Sequence, residues 1–150
     1  MRILVFLHGT TIMHCAASGH TREERVEQVK QRDPSVADYA TYVPVGEAVA
    51  KLARWQQQGA QIRYLSSHRK PEHVAMDTAV LERFGFPGGE VLFRHPGESY
   101  GDVARRAMPD VLIEDDCESI AGELEMTYPQ LRPDEQTHIT GIVVREFEGD

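Results

Sequence analysis

Residues Ile3-Leu4-Val5-Phe6-Leu7 form an uninterrupted apolar run, and His8-Gly9-Thr10-Thr11 follows at once. Such a run, ended by a glycine, predicts a strand buried on both faces. A strand buried on both faces sits centrally in a parallel sheet, and chemistry in such sheets gathers just past the carboxyl ends of the strands. His8-Gly9-Thr10-Thr11 holds that place. The rest of the chain has to supply strand–helix units that return to the same edge.

A chain of 150 residues fits one domain with a real core, expected over 1–150. The formal charge of −8 argues against a nucleic-acid partner on the electrostatic term. No apolar run is long enough to span a bilayer, so no membrane role is expected. One basic residue precedes the first strand, which does not suit a signal peptide. Cys15 and Cys117 form no CxxC pair, which fits a reducing cytoplasm rather than a disulfide framework.

After the first strand, Ile12 to Gly19 reads as loop, and Thr21-Arg22-Glu23-Glu24 matches a capping box. The helix behind it is mostly charged and offers Val26 and Val29 to a core. Asp33-Pro34 ends that helix and starts a short one through Tyr39. Residues 13–42 are therefore expected to form a polar excursion laid over the sheet edge, a small cap or flap. Pro44 predicts the start of a helix with Val45, Val49, Leu52 and Ala53 on one face and Gly59 closing it. Further strands are expected at Ile62–Leu65, Glu90–Arg94, Val111–Ile113 and Ile139–Phe147. A helix opened by Pro71 carries Val74, Thr78 and Leu81, and another carries Tyr100, Val103, Ala104 and Ala107. Gly122 to Thr137 reads as an irregular surface loop. Strands alternating with helices predict an α/β fold, a parallel sheet with helices on both faces.

Three strand ends then stand together: His8-Gly9-Thr10-Thr11, Ser66-Ser67 and Glu114-Asp115-Asp116. In order and spacing they resemble the haloacid dehalogenase-like (HAD-like) superfamily, a Rossmannoid fold of phosphatases and related phosphotransferases. Gly9-Thr10 matches the end of that family's Asp-x-Asp-Gly-Thr motif. Ser66 matches its Ser/Thr strand end, Arg94 its upstream Lys or Arg, and Val111 to Asp116 its strand ending in paired acids. The resemblance implies a phosphate site made by Gly9, Thr10, Ser66, Ser67 and Arg94, and Mg²⁺ on Asp115, Asp116 and Glu114.

One departure dominates. The family's nucleophilic Asp falls on Phe6 and its second Asp on His8. Phe6 has no lone pair with which to attack phosphorus or ligate a cation. His8 keeps the capacity for acid–base work. The resemblance therefore implies a degenerate active site. The chain is expected to bind a phosphorylated small molecule, or to regulate a protein partner, without phospho-aspartate chemistry and with Mg²⁺ weak or absent. The competing expectation is an active phosphohydrolase in which His8 is acid/base or nucleophile. Leu7-His8-Gly9-Thr10 is also similar to the Arg-His-Gly start of the histidine phosphatase superfamily, whose His is the nucleophile. Leu7 replaces that Arg, however, and Glu114-Asp115-Asp116 stands where the second His would be.

Plainer readings stand beside these. The three acids equally suit the first turn of a helix begun at Glu118-Ser119. Ser66 and Ser67 equally suit capping of the helix opened by Pro71. His14, Cys15 and His20 are possible ligands at a spacing that matches no metal pattern. Arg69 and Arg94 are anion ligands or ordinary surface residues.

Overall fold

The computed structural model describes residues 1–148. In chain order the strands are β1 (Arg2–Phe6), β2 (Ile12–Met13), β3 (Val43–Pro44), β4 (Gln61–Leu65), β5 (Val91–Leu92), β6 (Val111–Asp115) and β7 (Thr140–Val144). The helices are α1 (Arg22–Lys30), α2 (Ala48–Gln57), α3 (Pro71–Arg83), α4 (Tyr100–Ala107) and α5 (Pro133–Gln136). Five strands make one sheet in the order β5-β4-β1-β6-β7, parallel at every pairing. The apolar run is its central strand, as expected from burial on both sides.

The alternation along β1 distributes the core. Ile3, Val5 and Leu7 face α2 and α3 and pack with Leu52, Val80 and Leu81. Leu4 and Phe6 face α4 and pack with Tyr100, Val103 and Ala104. Leu4, Leu7 and Leu112 are fully buried. Truncating such a leucine to alanine costs about 2–5 kcal/mol, so the central strands hold the fold together. The helices thus flank a Rossmann-like sheet, and among the described residues none is long and apolar enough to cross a membrane.

The expected capping box is present, with the Glu24 N–H on the Thr21 hydroxyl and the Thr21 N–H on the Glu24 carboxylate. Val26 and Val29 of α1 join Met13, Ala17, Val45 and Phe147 in a small core of their own. The excursion differs from expectation at its ends. Ile12 and Met13 are not loop: they pair antiparallel with Pro44 and Val43. Pro44 therefore closes a ribbon instead of opening a helix. The Val45 N–H extends that ribbon to the Thr11 carbonyl, Gly46 turns at positive φ, and α2 begins at Ala48.

The edges are shorter than their composition suggests. β5 is confined to Val91–Leu92, because Arg94 leaves the ladder and donates to the Ser67 carbonyl. Gly89 brings the chain onto β4 so closely that a Cβ there would lie 2.1 Å from the Ile62 carbonyl oxygen. β7 stops at Val144, and Phe147 turns back at positive φ to give its N–H to the Gly9 carbonyl. The segment read as irregular, Gly122 to Thr137, holds two 3-10 turns and α5. No helix starts at Glu118-Ser119; the acids of β6 run into a turn.

Candidate functional site

Past β1 the chain folds into a tight turn. The Leu7 carbonyl accepts the N–H groups of Thr10, Thr11 and Ile12, and the Gly9 N–H donates to the Ile12 carbonyl at 2.8 Å. Gly9 adopts φ +90°, and a Cβ on it would lie 3.0 Å from both Asp115 Oδ2 and Glu146 Cγ. Only glycine suits that combination of backbone and close approach. The amides of Gly9 and Thr10, expected to cradle an anion, are thus engaged within the turn.

Below the turn lies an acidic cluster. Asp115 accepts the Thr10 hydroxyl at 2.7 Å and the Cys117 N–H at 2.8 Å. Glu146 accepts the Ser119 N–H at 2.7 Å and its hydroxyl at 2.6 Å. Burial pushes both carboxyls up, Glu146 to about 7, against the pull of those hydrogen bonds. Donor oxygens of Asp115, Asp116 and Glu146 lie within 4.8 Å of one another, the geometry a cation would need. The Arg22 guanidinium from α1 stands there, 3.4 Å from Asp116 and against Glu118, and its Nε donates to the Glu146 carbonyl. Glu114 is not in this cluster. Its side chain turns to the opposite face of β6 and accepts the N–H groups of Thr127 and Tyr128 at 2.6 and 2.8 Å. Burial raises its pKa in spite of those bonds.

A second network joins β1, β4 and α3. The Ser67 hydroxyl lies 2.7 Å from His8 Nδ1, and His8 Nε2 lies 3.0 Å from Asp77 Oδ1. Asp77 Oδ2 accepts His68 Nδ1 at 3.0 Å and the Ser66 hydroxyl at 2.6 Å. Burial would raise the Asp77 pKa, but the bonds from His68, His8 and Ser66 outweigh it and hold the carboxyl well below the usual carboxylate range. Asp77 is therefore ionised, so His8 Nε2 carries the proton and Nδ1 accepts from Ser67. Ser66 is fully buried, and its hydroxyl also receives the His68 N–H.

Between the two networks opens a cavity of about 250 Å³, lined by Phe6, His8, Ser67, Tyr100 and Asp115 among others. Phe6 meets Tyr100 edge-on at 5.3 Å. Arg94 lies over the Tyr100 ring, its guanidinium carbon 4.0 Å from the ring centre. Burial lowers the Arg94 pKa, and Arg69 nearby lowers it further. A separate apolar cavity under α2, bounded by Val45, Leu52 and Trp55, carries no comparable chemistry.

The structure thus gathers His8, Ser67 and Arg94 near one another and gives Thr10 and Ser66 to internal carboxylates. His14, Cys15 and His20 do not converge: His14 bonds Gln28, His20 pairs with Glu24, and Cys15 is exposed. His8, His68 and Asp77 also have donor atoms within 4.8 Å of one another, although both rings already donate to Asp77. Sequence reasoning missed Asp77, His68, Glu146 and Arg22. Asp77 left a trace, for it follows Val74 by three positions and precedes Val80 by three, an acid on the buried face of its helix. Arg22 and Glu146 left none.

No family model matches the chain, and no curated protein matches it. Solved structures do. Two structures of a Pnkp1/Rnl/Hen1 complex, one described as an RNA repair complex, align over 99% of this chain at 12% identity and TM-score 0.59. This chain spans 46% and 43% of those chains, less than half their length. The class C acid phosphatase from Bacillus anthracis, with tungstate bound, aligns over 98% of this chain and 67% of its own at 15% identity and TM-score 0.61. Likeness at such identities is likeness of fold, and the chain shares its parallel α/β fold with a phosphatase.

Proposed function

We propose that this chain binds a phosphorylated small molecule at the carboxyl edge of its sheet and does not process it by phospho-aspartate chemistry. The observation that carries this is Arg94. It is half-buried, its Nε is buried without a hydrogen-bond partner among the described residues, and one Nη2 bond goes to the Ser67 carbonyl. Arg2, Arg22, Arg105, Arg106, Arg132 and Arg145 each meet a carboxylate. Among the described residues Arg25, Arg32, Arg54, Arg63, Arg69, Arg83 and Arg94 do not, and of these Arg94 is the one bonded to Ser67 at the carboxyl edge of the sheet. Glu125 acts on Arg94 from beyond ion-pair distance; a half-buried guanidinium so weakly balanced is costly, and a phosphate accepting its fork would relieve it. The aromatic cavity beside it suits the organic body of such a ligand.

Phe6 supplies no nucleophile where the family resemblance requires one. The acids suit a resident Mg²⁺ poorly, because Arg22 already balances Asp116 and Phe6 offers no oxygen, so the cation is expected to be weak or absent. A protein partner regulated through the same edge is the reading that replaces this one if no anion binds. Titration calorimetry with inorganic phosphate and with nucleoside monophosphates, each with and without Mg²⁺, is the test. Binding that is lost in Arg94→Ala and weakened in Arg69→Ala supports the proposal. No binding at millimolar concentration in any combination, or binding indifferent to both variants, removes it.

The second reading, an enzyme built on His8, is favoured by one observation: both ring nitrogens are engaged, one by Ser67 and one by Asp77. A ring held so is poorly placed to attack phosphorus itself and well placed to take a proton.

A further inference from the structure

We infer that Ser67, His8 and Asp77 form a nucleophilic relay that cleaves neutral carboxylic esters, an activity beyond anion binding that does not require Arg94. Ser67 is half-buried and opens on the cavity, whereas Asp77 is sealed below it at 1% exposure. The 2.7 Å contact from the Ser67 hydroxyl to His8 Nδ1 and the 3.0 Å contact from His8 Nε2 to Asp77 both lie within reach of proton transfer and orientation. These are the roles of nucleophile, base and orienting acid that recur on unrelated folds and are recognised by geometry. Ser67 and His8 are the catalytic residues; Asp77 is a positioning residue. His68 and Ser66 position Asp77 in turn, since both donate to its second oxygen. A capping role for Ser67 does not account for this, because Lys70 is the cap residue of α3 and no side-chain cap bond is formed there.

The step balances without a metal. The Ser67 proton moves to His8 Nδ1 as Oγ bonds the acyl carbon. The bond from that carbon to the alcohol oxygen breaks, and His8 returns the proton to the leaving alcohol. Water then gives a proton to His8 and its oxygen to the acyl carbon. The acyl–Oγ bond breaks, Ser67 recovers its proton and a carboxylic acid leaves. The N-terminal end of α3 lies at the same edge, and its dipole favours negative charge there.

The cavity selects the substrate class. Phe6, Met13, Tyr39 and Tyr100 give it apolar walls, and Asp115 and Glu146 stand on its far side. Those walls suit the hydrocarbon of a neutral ester.

The test is covalent. The full chain is treated with a fluorophosphonate probe, which forms a stable adduct on an activated serine, and the adduct is mapped by mass spectrometry. One adduct on Ser67, unaffected by a chelator, is the expected result. In parallel, p-nitrophenyl butyrate is expected to be hydrolysed faster than p-nitrophenyl phosphate, with the difference lost in Ser67→Ala. His8→Gln keeps a donor toward Asp77 but has no base, and should slow labelling by about 10²-fold or more. Asp77→Asn misorients the ring, and its labelling deficit should shrink as pH rises and hydroxide takes over the serine proton; a merely structural loss would not follow pH. An unlabelled Ser67, labelling at the unaltered rate in His8→Gln, labelling that requires added zinc, or Ser67-dependent turnover of the phosphate ester alone would each overturn the inference. The mapping on the unaltered chain decides the matter even where a variant fails to fold.

Discussion

Arg22 reaches from α1 to within 3.4 Å of Asp116, and this guanidinium ties the polar excursion to the acids at the end of β6. It is itself almost fully buried, while Asp116 and Glu118 are partly open to water. Removing one partner of a fully buried pair costs about 3–5 kcal/mol, and solvent screening of the two acids reduces that here to about 1–3 kcal/mol. Arg22→Met is expected to destabilise the chain by that amount in urea unfolding. The same variant leaves Asp115, Asp116 and Glu146 without their cation, so Mg²⁺ should bind more tightly to it than to the unaltered chain in titration calorimetry. Equal Mg²⁺ affinity in the two proteins would show that Arg22 does not stand in for a metal.

Glu146 should give the chain a distinctive pH dependence. Burial beside Asp115 and Asp116 lifts its pKa from an ordinary 4.5 to about 7. The folded state then holds the proton to higher pH than the unfolded state does. Its contribution to stability is full below 4.5 and is lost as pH rises through 7. The total loss is on the order of 3 kcal/mol. Asp115, raised by burial as well, adds in the same direction, whereas Asp77, depressed, acts at lower pH and in the opposite sense. Glu146→Gln should flatten the fall in urea midpoint between weakly acid and neutral pH, and should be the more stable protein at pH 8 (about one unit above the lifted value). Parallel curves for the two proteins would contradict this.

Phe6 should make the chain inert toward phosphomonoesters in the presence of Mg²⁺. Loss of a covalent nucleophile removes several orders of magnitude in rate. Phe6→Asp together with His8→Asp introduces the two acids of the HAD-like motif that the chain resembles and is expected to gain Mg²⁺ affinity. It also forfeits the edge-on contact with Tyr100, at a cost of about 3–5 kcal/mol for a buried phenyl ring. Turnover of p-nitrophenyl phosphate and a thermal melt on both proteins check the two halves. Robust Mg²⁺-dependent turnover by the unaltered chain would contradict the first.

Gly9→Ala should be disproportionately damaging for a single methyl group. The φ of +90° is strained for alanine, and the new carbon would lie 3.0 Å from Asp115 Oδ2, which the Thr10 hydroxyl holds in place. A loss of about 1–3 kcal/mol is expected from the backbone alone. Chemical denaturation measures it. A change below half a kilocalorie (about the noise of surface substitutions) would mean the turn relaxes freely.

The sequence by itself determined the layered α/β architecture. Ile3 to Leu7 has to be a central strand because its side chains are apolar on both faces, and helical stripes such as Tyr100, Val103, Ala104 and Ala107 have to lie on a sheet. The capping box at Thr21 was legible for a similar reason, since its bonds span only three residues. Where the sheet ended was less legible, because edge strands are fixed by partners elsewhere: Arg94 leaves β5 for the Ser67 carbonyl, and Phe147 leaves β7 for the Gly9 carbonyl. The sequence placed His8, Ser67, Arg94 and Asp115 at strand ends, and the fold gathers those ends at one edge. Only the tertiary structure decided what each touches. Asp77, sixty-nine positions from His8, orients its ring, and Arg22, ninety-four positions from Asp116, supplies its counter-charge. Glu114 and Asp115 are adjacent in sequence yet project to opposite faces of one strand, so one anchors a loop and the other joins the acidic cluster. Hydrogen bonds and charges act through space over a few ångströms, and a sequence carries no record of which distant residues the fold will bring within that range.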